Sequence, residues 1–264
     1  MIRTLALVGV AGGVGTTRTA VECAAILALD GRDVAVLDAA YATQGLSEYL
    51  PGRVDPDLTD LCLHPERPLA DGLHDLEIDA PDRTAGVDSP DRLAAADAPG
   101  RVALAPALAP FERLARAKTV EAAESFEDRV AEAAAGFDCV LVDVPPVAAN
   151  QHVAAVNAVD RVGLVVPGSE RGADARRRTA DRLRDVGVDP DRTLSVGTDL
   201  PAAAATVPTV DAAPAEGPQC PRDGDLAAAT AAAVESLFDV ELDLEFDDGN
   251  GLDRIREGIG GLGR

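Results

Sequence analysis

Gly9-Val10-Ala11-Gly12-Gly13-Val14-Gly15-Thr16-Thr17-Arg18 stands directly after the apolar run Leu5-Ala6-Leu7-Val8 and before a run of helix formers ending at Leu29. Leu5 to Val8 read as a buried strand and Thr17 to Leu29 as a helix, so the glycines form a tight turn between them. In such a turn the backbone N–H groups converge at a helix N-terminus, where they bind an anion. The common phosphate-binding form of this loop is G-x-x-x-x-G-K-[ST], with the lysine on the β- and γ-phosphates and the hydroxyl on Mg2+. Here Thr17 supplies the hydroxyl and Thr16 occupies the lysine position. The loop keeps its shape and loses its charge. A glycine cluster by itself also fits a sharp turn that binds nothing, because glycine tolerates positive φ.

Two further stretches bear on the same site. Asp33-Val34-Ala35-Val36-Leu37-Asp38 reads as a second buried strand ending on an acid, with Gly31 stopping the helix before it. Strand, helix and strand make a βαβ unit with a right-handed crossover. Phe137-Asp138-Cys139-Val140-Leu141-Val142-Asp143-Val144-Pro145-Pro146 reads as a fully buried parallel strand that ends in an acid and a Pro-Pro turn. An acid at such a strand end either serves the site or caps the next turn.

In their order these residues resemble the MinD/ParA family of P-loop ATPases. Ala11-Gly12-Gly13-Val14-Gly15-Thr16-Thr17 is similar to the family's K-G-G-V-G-K-T loop with both lysines replaced. Asp38-Ala39-Ala40-Tyr41 and the residues to Leu50 resemble its D-x-D segment and first switch, with Ala40 at the aspartate that positions the attacking water. Phe137 to Pro146 resembles its Walker B segment, where Asp143 matches the aspartate that helps hold Mg2+. The resemblance runs from Arg3 to about Phe238. It implies an α/β fold: a doubly wound, mostly parallel P-loop NTPase sheet flanked by helices, with the crevice at the carboxyl ends of the strands. It further implies ATP and Mg2+ as cofactors, a nucleotide-binding stretch of Gly12, Gly13, Val14, Gly15, Thr16, Thr17 and Arg18, and Thr17, Asp38 and Asp143 at the metal. A protein partner or a homodimer is implied as well.

Three charges that the family uses are missing. Ala11 stands at the signature lysine, which in the family reaches a phosphate across a nucleotide-sandwich dimer; Thr16 stands at the P-loop lysine and Ala40 at the second aspartate. Gly197-Thr198-Asp199 replaces the Asn-Arg pair that contacts adenine in many relatives. Arg18 lies one residue beyond Thr17, and its side chain leaves the helix about 100° further round. Phosphoryl transfer rests on positioning and charge stabilisation, and these losses strike both. The leading expectation is a non-hydrolysing scaffold or regulator in intracellular positioning or partitioning. The alternative is an active ATP-binding member that dimerises on ATP to position cargo, using Arg18 or a partner's cation.

Composition narrows the partners. The chain has 264 residues and 47% hydrophobic content, enough for one sizeable α/β core. Its 46 acidic residues against 24 basic ones give a net charge of −22, and Lys118 is its one lysine. This pattern looks like the proteome of an extreme halophile. Strong negative charge repels nucleic acid and anionic membrane, and salt weakens phosphate contacts, so DNA is disfavoured as a partner. Cys23, Cys62, Cys139 and Cys220 are scattered, and His64 near Cys62 has no second ligand pair at zinc spacing. Without a signal peptide or an apolar run of about 18 residues, the expected location is cytoplasmic.

Residues 1–240 are read as one domain, with 51–100 an acidic, loop-rich insertion. Helical turns are expected at Leu58–Leu63 and Leu69–Leu73, an exposed loop over Asp79–Gly100 and a strand over Arg101–Ala105. A helix over Thr119–Ala135 closes at Gly136. Val159 to Gly168 resembles the next family strand. The following helix, Ala173–Val186, interleaves Arg176, Arg177, Arg178, Arg182 and Arg184 with Asp174, Asp181 and Asp185, which favours a solvated, salt-bridged face. Arg192–Val196 reads as the last core strand, Pro201–Gly224 as loop and Leu226–Phe238 as a closing helix. In the tail, 241–264, Leu252, Ile255, Ile259 and Leu262 have helix-like spacing, and MinD proteins end in a membrane-binding amphipathic helix. Gly258, Gly260, Gly261 and Gly263 each weaken a helix by about 1 kcal/mol, which favours a disordered or partner-binding tail over a membrane anchor.

Overall fold

The computed structural model describes residues 2–78, 93–94 and 99–246. The expected exposed loop lies largely, and the tail pattern at 252–262 wholly, outside the described residues. The chain runs β1 (Thr4–Gly9), α1 (Thr16–Leu29), β2 (Val34–Asp38), α2 (Leu58–Leu63), β3 (His74–Leu76), β4 (Leu93–Ala94), β5 (Val102–Ala105), α3 (Phe111–Arg116), α4 (Val120–Gly136), β6 (Cys139–Val144), α5 (Asn150–Asn157), β7 (Arg161–Pro167), α6 (Glu170–Asp185), β8 (Arg192–Val196), β9 (Ala205–Val207), α7 (Gly224–Phe238) and β10 (Glu245–Phe246). Eight strands form one sheet in the order β3-β5-β2-β6-β1-β7-β8-β9, and β4 pairs separately with β10. Only β3, at one edge, runs antiparallel within the large sheet.

Strand parity decides which helix layer each side chain meets. Leu5 and Leu7 of β1, Val34 and Val36 of β2, and Cys139 and Leu141 of β6 join the cluster that includes α1 and α7. Their neighbours Ala6, Val8, Ala35, Leu37, Val140 and Val142 pack with Phe126 and Val130 of α4 and Ala154 and Ala155 of α5. Both faces are covered, which is why these strands read as unbroken apolar runs rather than as alternating ones. Carried two residues further, the same parity puts Asp38 and Asp143 on the α1 face.

Four of the described helices, α2, α4, α6 and α7, start where a side chain satisfies a first N–H group. Asp57 accepts from Asp60 N at 3.2 Å, Thr119 from Ala122 N at 3.3 Å, Ser169 from Gly172 N at 3.1 Å and Asp223 from Leu226 N at 3.0 Å. The Ser169 cap starts α6 at Glu170, ahead of the expected Ala173. Two expectations are corrected. Arg192–Val196 is not the last strand, because Ala205–Val207 pairs parallel to it inside the stretch expected to be loop. A run of four alanines before Thr206 carries no strand pattern; the open edge of β8 supplies the hydrogen-bonding partners that make it one. On α6, Arg177 pairs with Asp174 and Arg184 with Asp181, yet Arg171, Arg178 and Arg182 have no ion pair with any described residue, so the salt-bridged face is partial. No described helix is long and apolar enough to cross a membrane.

Candidate functional site

The turn between β1 and α1 has the backbone of an anion cradle. Gly13 and Gly15 take φ of 74° and 88°, left-handed values that glycine adopts without strain. Gly15 is the N-cap of α1, and no side chain caps that helix. The amides of Gly12, Gly13, Val14 and Gly15 donate to no acceptor among the described residues. Four N–H groups are therefore unspent at the positive end of a 14-residue helix. The bare Cα of Gly9 lies against the Thr16 hydroxyl, so the side chain at position 16 runs back across the strand end.

The metal-type oxygens come from three elements. Thr17, in the first turn of α1, donates its hydroxyl to Asp143 Oδ2 at 2.5 Å. Asp143 near the end of β6 sits in register with Asp38 at the end of β2, and both carboxylates are buried. Asp38 accepts from Ala40 N at 2.7 Å and from Ala107 N at 3.2 Å. Burial, with Asp143 beside it, pushes the Asp38 carboxyl up to about 8. Asp143 is pushed up to about 6 by burial, against the opposing pull of the Thr17 hydrogen bond. Gly45, which opens a short 3-10 helix over Gly45–Tyr49, presents its bare Cα to the Thr17 hydroxyl at the same place.

These residues fit a magnesium ion. Two carboxylates with raised affinity for protons have unmet demand for positive charge, and a dication at hard oxygen ligands relieves it. No cluster of three or more His, Cys, Asp or Glu side chains forms a metal cage among the described residues. The triphosphate fit is split. The amide cradle suits an anion, but Ala11, Thr16 and the buried Ala40 bring no charge to it.

Arg18 is the one basic residue between Thr4 and Gly31, and its side-chain contacts are with residues outside the glycine turn. Its guanidinium donates to the carbonyl of Ala212 and, at 3.3 Å, to that of Gly217. It also lies 5.3 Å from the Tyr49 ring centroid and 3.5 Å from Glu22. The helix rotation of one residue past Thr17 turns it toward the segment at 212–220. Glu22, buried on the next turn of α1, accepts from Gln219 N at 2.9 Å and Cys220 N at 2.9 Å, so α1 straps that segment down with two side chains.

Sequence reasoning missed Glu22 and Asp57. A single carboxylate inside the apolar run Ala20-Val21-Glu22-Cys23-Ala24 was the available signal for the first. For Asp57 it was an acid directly before the helical run at Leu58. Asp57 is fully buried, 3.0 Å from Arg113 Nη2, and accepts from Leu108 N at 2.7 Å. It thereby ties the loop after β5 to the start of α2. The four cysteines are buried free thiols, with burial pushing Cys23 and Cys62 up to about 12 and Cys139 up to about 11.

No protein-family model and no curated protein matches the sequence. Solved structures do. A ParA family ATPase from Chlorobium tepidum superposes with a TM-score of 0.67 at 15% identity, over 89% of this chain and 99% of that one. The septum site-determining protein MinD of Pyrococcus horikoshii, complexed with Mg-ADP, gives 0.63 at 17% identity over 89% and 95%. The MinC:MinD cell-division complex of Aquifex aeolicus gives 0.66 at 17% identity over 92% and 98%. The fold is that of the MinD and ParA ATPases.

Proposed function

We propose that this chain is a MinD/ParA-fold protein that does not hydrolyse ATP and works as a scaffold or regulator in intracellular positioning or partitioning. The observation that carries this reading is the cradle without cations. Ala11 and Thr16 occupy both lysine positions of the resembled loop, and Arg18 is held by the carbonyls of Ala212 and Gly217. Charge stabilisation at the transferring phosphoryl group is the largest contribution such sites make to catalysis. Ala40 removes the group that would orient water.

A second reading has its own support. The unspent amides from Gly12 to Gly15, the Thr17 hydroxyl and the carboxylates of Asp38 and Asp143 together still suit a magnesium nucleotide. In that reading ATP binds, and a partner or second copy brings the missing cation. The MinD fold neighbours described above include one with Mg-ADP and one with MinC, which supports a protein partner in either case.

Titration calorimetry of Mg·ATP into the purified chain in concentrated KCl separates the two. The bare Cα of Gly9 leaves a lane for a longer side chain at position 16, so an Ala11→Lys/Thr16→Lys variant is the paired measurement. Heat from the double variant and none from the native chain supports the scaffold. Micromolar binding by the native chain overturns it.

A further inference from the structure

His152, one of three histidines in the chain, stands buried in the first turn of α5. The N-cap of that helix is Ala149, which has no side-chain oxygen to offer its first N–H groups. His152 turns back instead, and its Nδ1 accepts from Ala148 N at 3.1 Å. An Nδ1 that accepts carries no proton, so the ring proton sits on Nε2. The surroundings keep the ring neutral. Burial, with the Lys118 ammonium acting in the same direction, pulls the imidazole down to about 4. Asn150 Nδ2 donates to the Lys118 carbonyl at 3.0 Å and holds that stretch of main chain against the start of α5.

A helix cap uses Nδ1 alone, yet Nε2 is engaged as well. A hydrogen bond to the backbone of Ala39 opposes the effect of burial on the ring, which makes Nε2–H the donor and the Ala39 carbonyl the acceptor. The Gln151 amide nitrogen lies 3.1 Å from the same Nε2. Gln151 is 1% exposed, and its oxygen has no partner among the described residues. An amide nitrogen facing Nε2–H sets donor against donor. Turned over, the amide gives its oxygen to the imidazole N–H, and the orphaned acceptor is satisfied.

Two strand ends meet at Ala39. Its N–H donates to Asp143 O at 2.9 Å, and it directly follows Asp38, whose carboxylate accepts from Ala40 N. We propose that His152 is a positioning residue: as the Nε2–H tautomer, backed by the Gln151 oxygen, it clamps the turn leaving β6 to the end of β2 and so fixes Asp143 and Asp38 against each other. It acts through Ala148 and Ala39, not on the carboxylates themselves. Rigid backing of this kind is what two oxygen donors need to meet one small cation. The clamp stands whether or not nucleotide binds, because every contact in it lies within the chain.

The test uses the full chain in concentrated KCl without nucleotide. Long-range proton–nitrogen NMR correlation reads the tautomer of each histidine, and the Nε2–H pattern is expected for His152 at pH 7. Native-state hydrogen exchange reads the two ends of the clamp. His152→Phe keeps a ring and removes both nitrogens, so exchange at Ala148 N and Ala39 N should rise tenfold or more while the amides of β1 hold their rates. His152→Asn places an amide where Nδ1 stands and should restore protection at Ala148 alone. His152→Gln reaches the place of Nε2 and should restore it at Ala39 alone. Those two variants and the native tautomer carry the test if His152→Phe does not fold. The proposal is overturned by an Nδ1–H or charged imidazole in the native chain, by unchanged exchange at Ala39, or by a rise of equal size throughout β1. It is also overturned if the asparagine and glutamine variants do not divide their rescue between the two ends. Calorimetry with Mg·ATP is read separately, so ATP binding sinks the scaffold reading without touching the clamp.

Discussion

Asp143→Asn should make the protein more stable at pH 8 and leave it nearly unchanged at pH 4. Asp143 and Asp38 are buried register partners on adjacent strands, whose spacing is about 4.8 Å. At that separation and an effective dielectric of about 20, two negative charges repel by about 3 kcal/mol. Burial and this repulsion push Asp38 up to about 8, and burial pushes Asp143 up to about 6. Free aspartate titrates near 3.9, so from about pH 4 to pH 8 the native state holds more protons than the unfolded chain. Stability therefore falls as pH rises through that window. The carboxamide removes one charge and keeps an oxygen to accept the Thr17 hydroxyl, now 2.5 Å from the carboxylate. The expected gain is about 3 kcal/mol at pH 8 and less than about 1 kcal/mol at pH 4, where the carboxyl is protonated in the native state and about half protonated in the unfolded chain. Urea unfolding at the two pH values in constant KCl, followed by far-UV circular dichroism, reads the difference. A variant no more stable than the native protein at pH 8, or one with the same gain at both pH values, refutes the reasoning. A gain of the expected size means that the carboxylate is kept at a cost to stability, as sites that bind ligands often are.

Thr17→Ala removes the hydrogen bond that lowers the Asp143 pKa, so that carboxyl should titrate above about 6 by carbon-13 NMR; an unmoved titration counts against the assigned bond. Arg18→Ala loses two carbonyl bonds and the stack on Tyr49 and should cost about 2 kcal/mol in thermal or urea unfolding. If Mg·ATP heat disappears with it, the placement of Arg18 outside the phosphate site is wrong. Glu22→Gln sets an amide N–H2 against one of the donors from Gln219 and Cys220, costing about 2 kcal/mol. Faster hydrogen exchange at those two amides is the signature, and unchanged exchange would contradict the strap.

The site's centre was legible because its signals are local. An apolar strand, a glycine turn and a helix occupy 26 consecutive residues from Thr4 to Leu29, and the geometry of that turn follows from the glycines themselves. Asp143 was equally visible, since an acid closing a buried apolar run stands out against it. What escaped was decided at a distance. β3 and β9 have three residues each, too few for a periodic pattern, and exist because β5 and β8 offer open edges. The helix rise placed Arg18 off the Thr17 direction, yet only the fold brings Ala212 and Gly217 within its reach.

By itself, then, the sequence determined the strand–turn–helix cradle, the acids that close β2 and β6, and the missing lysines, because each depends on residues next to one another in the chain. The tertiary structure decided that Asp38 and Asp143 share a register, that Arg18 and Glu22 strap down residues 212–220, and that the loop after β5 is tied to Asp38 and Asp57. Those relations join positions from 51 to 199 residues apart. Their strength comes from burial that no local stretch of chain provides.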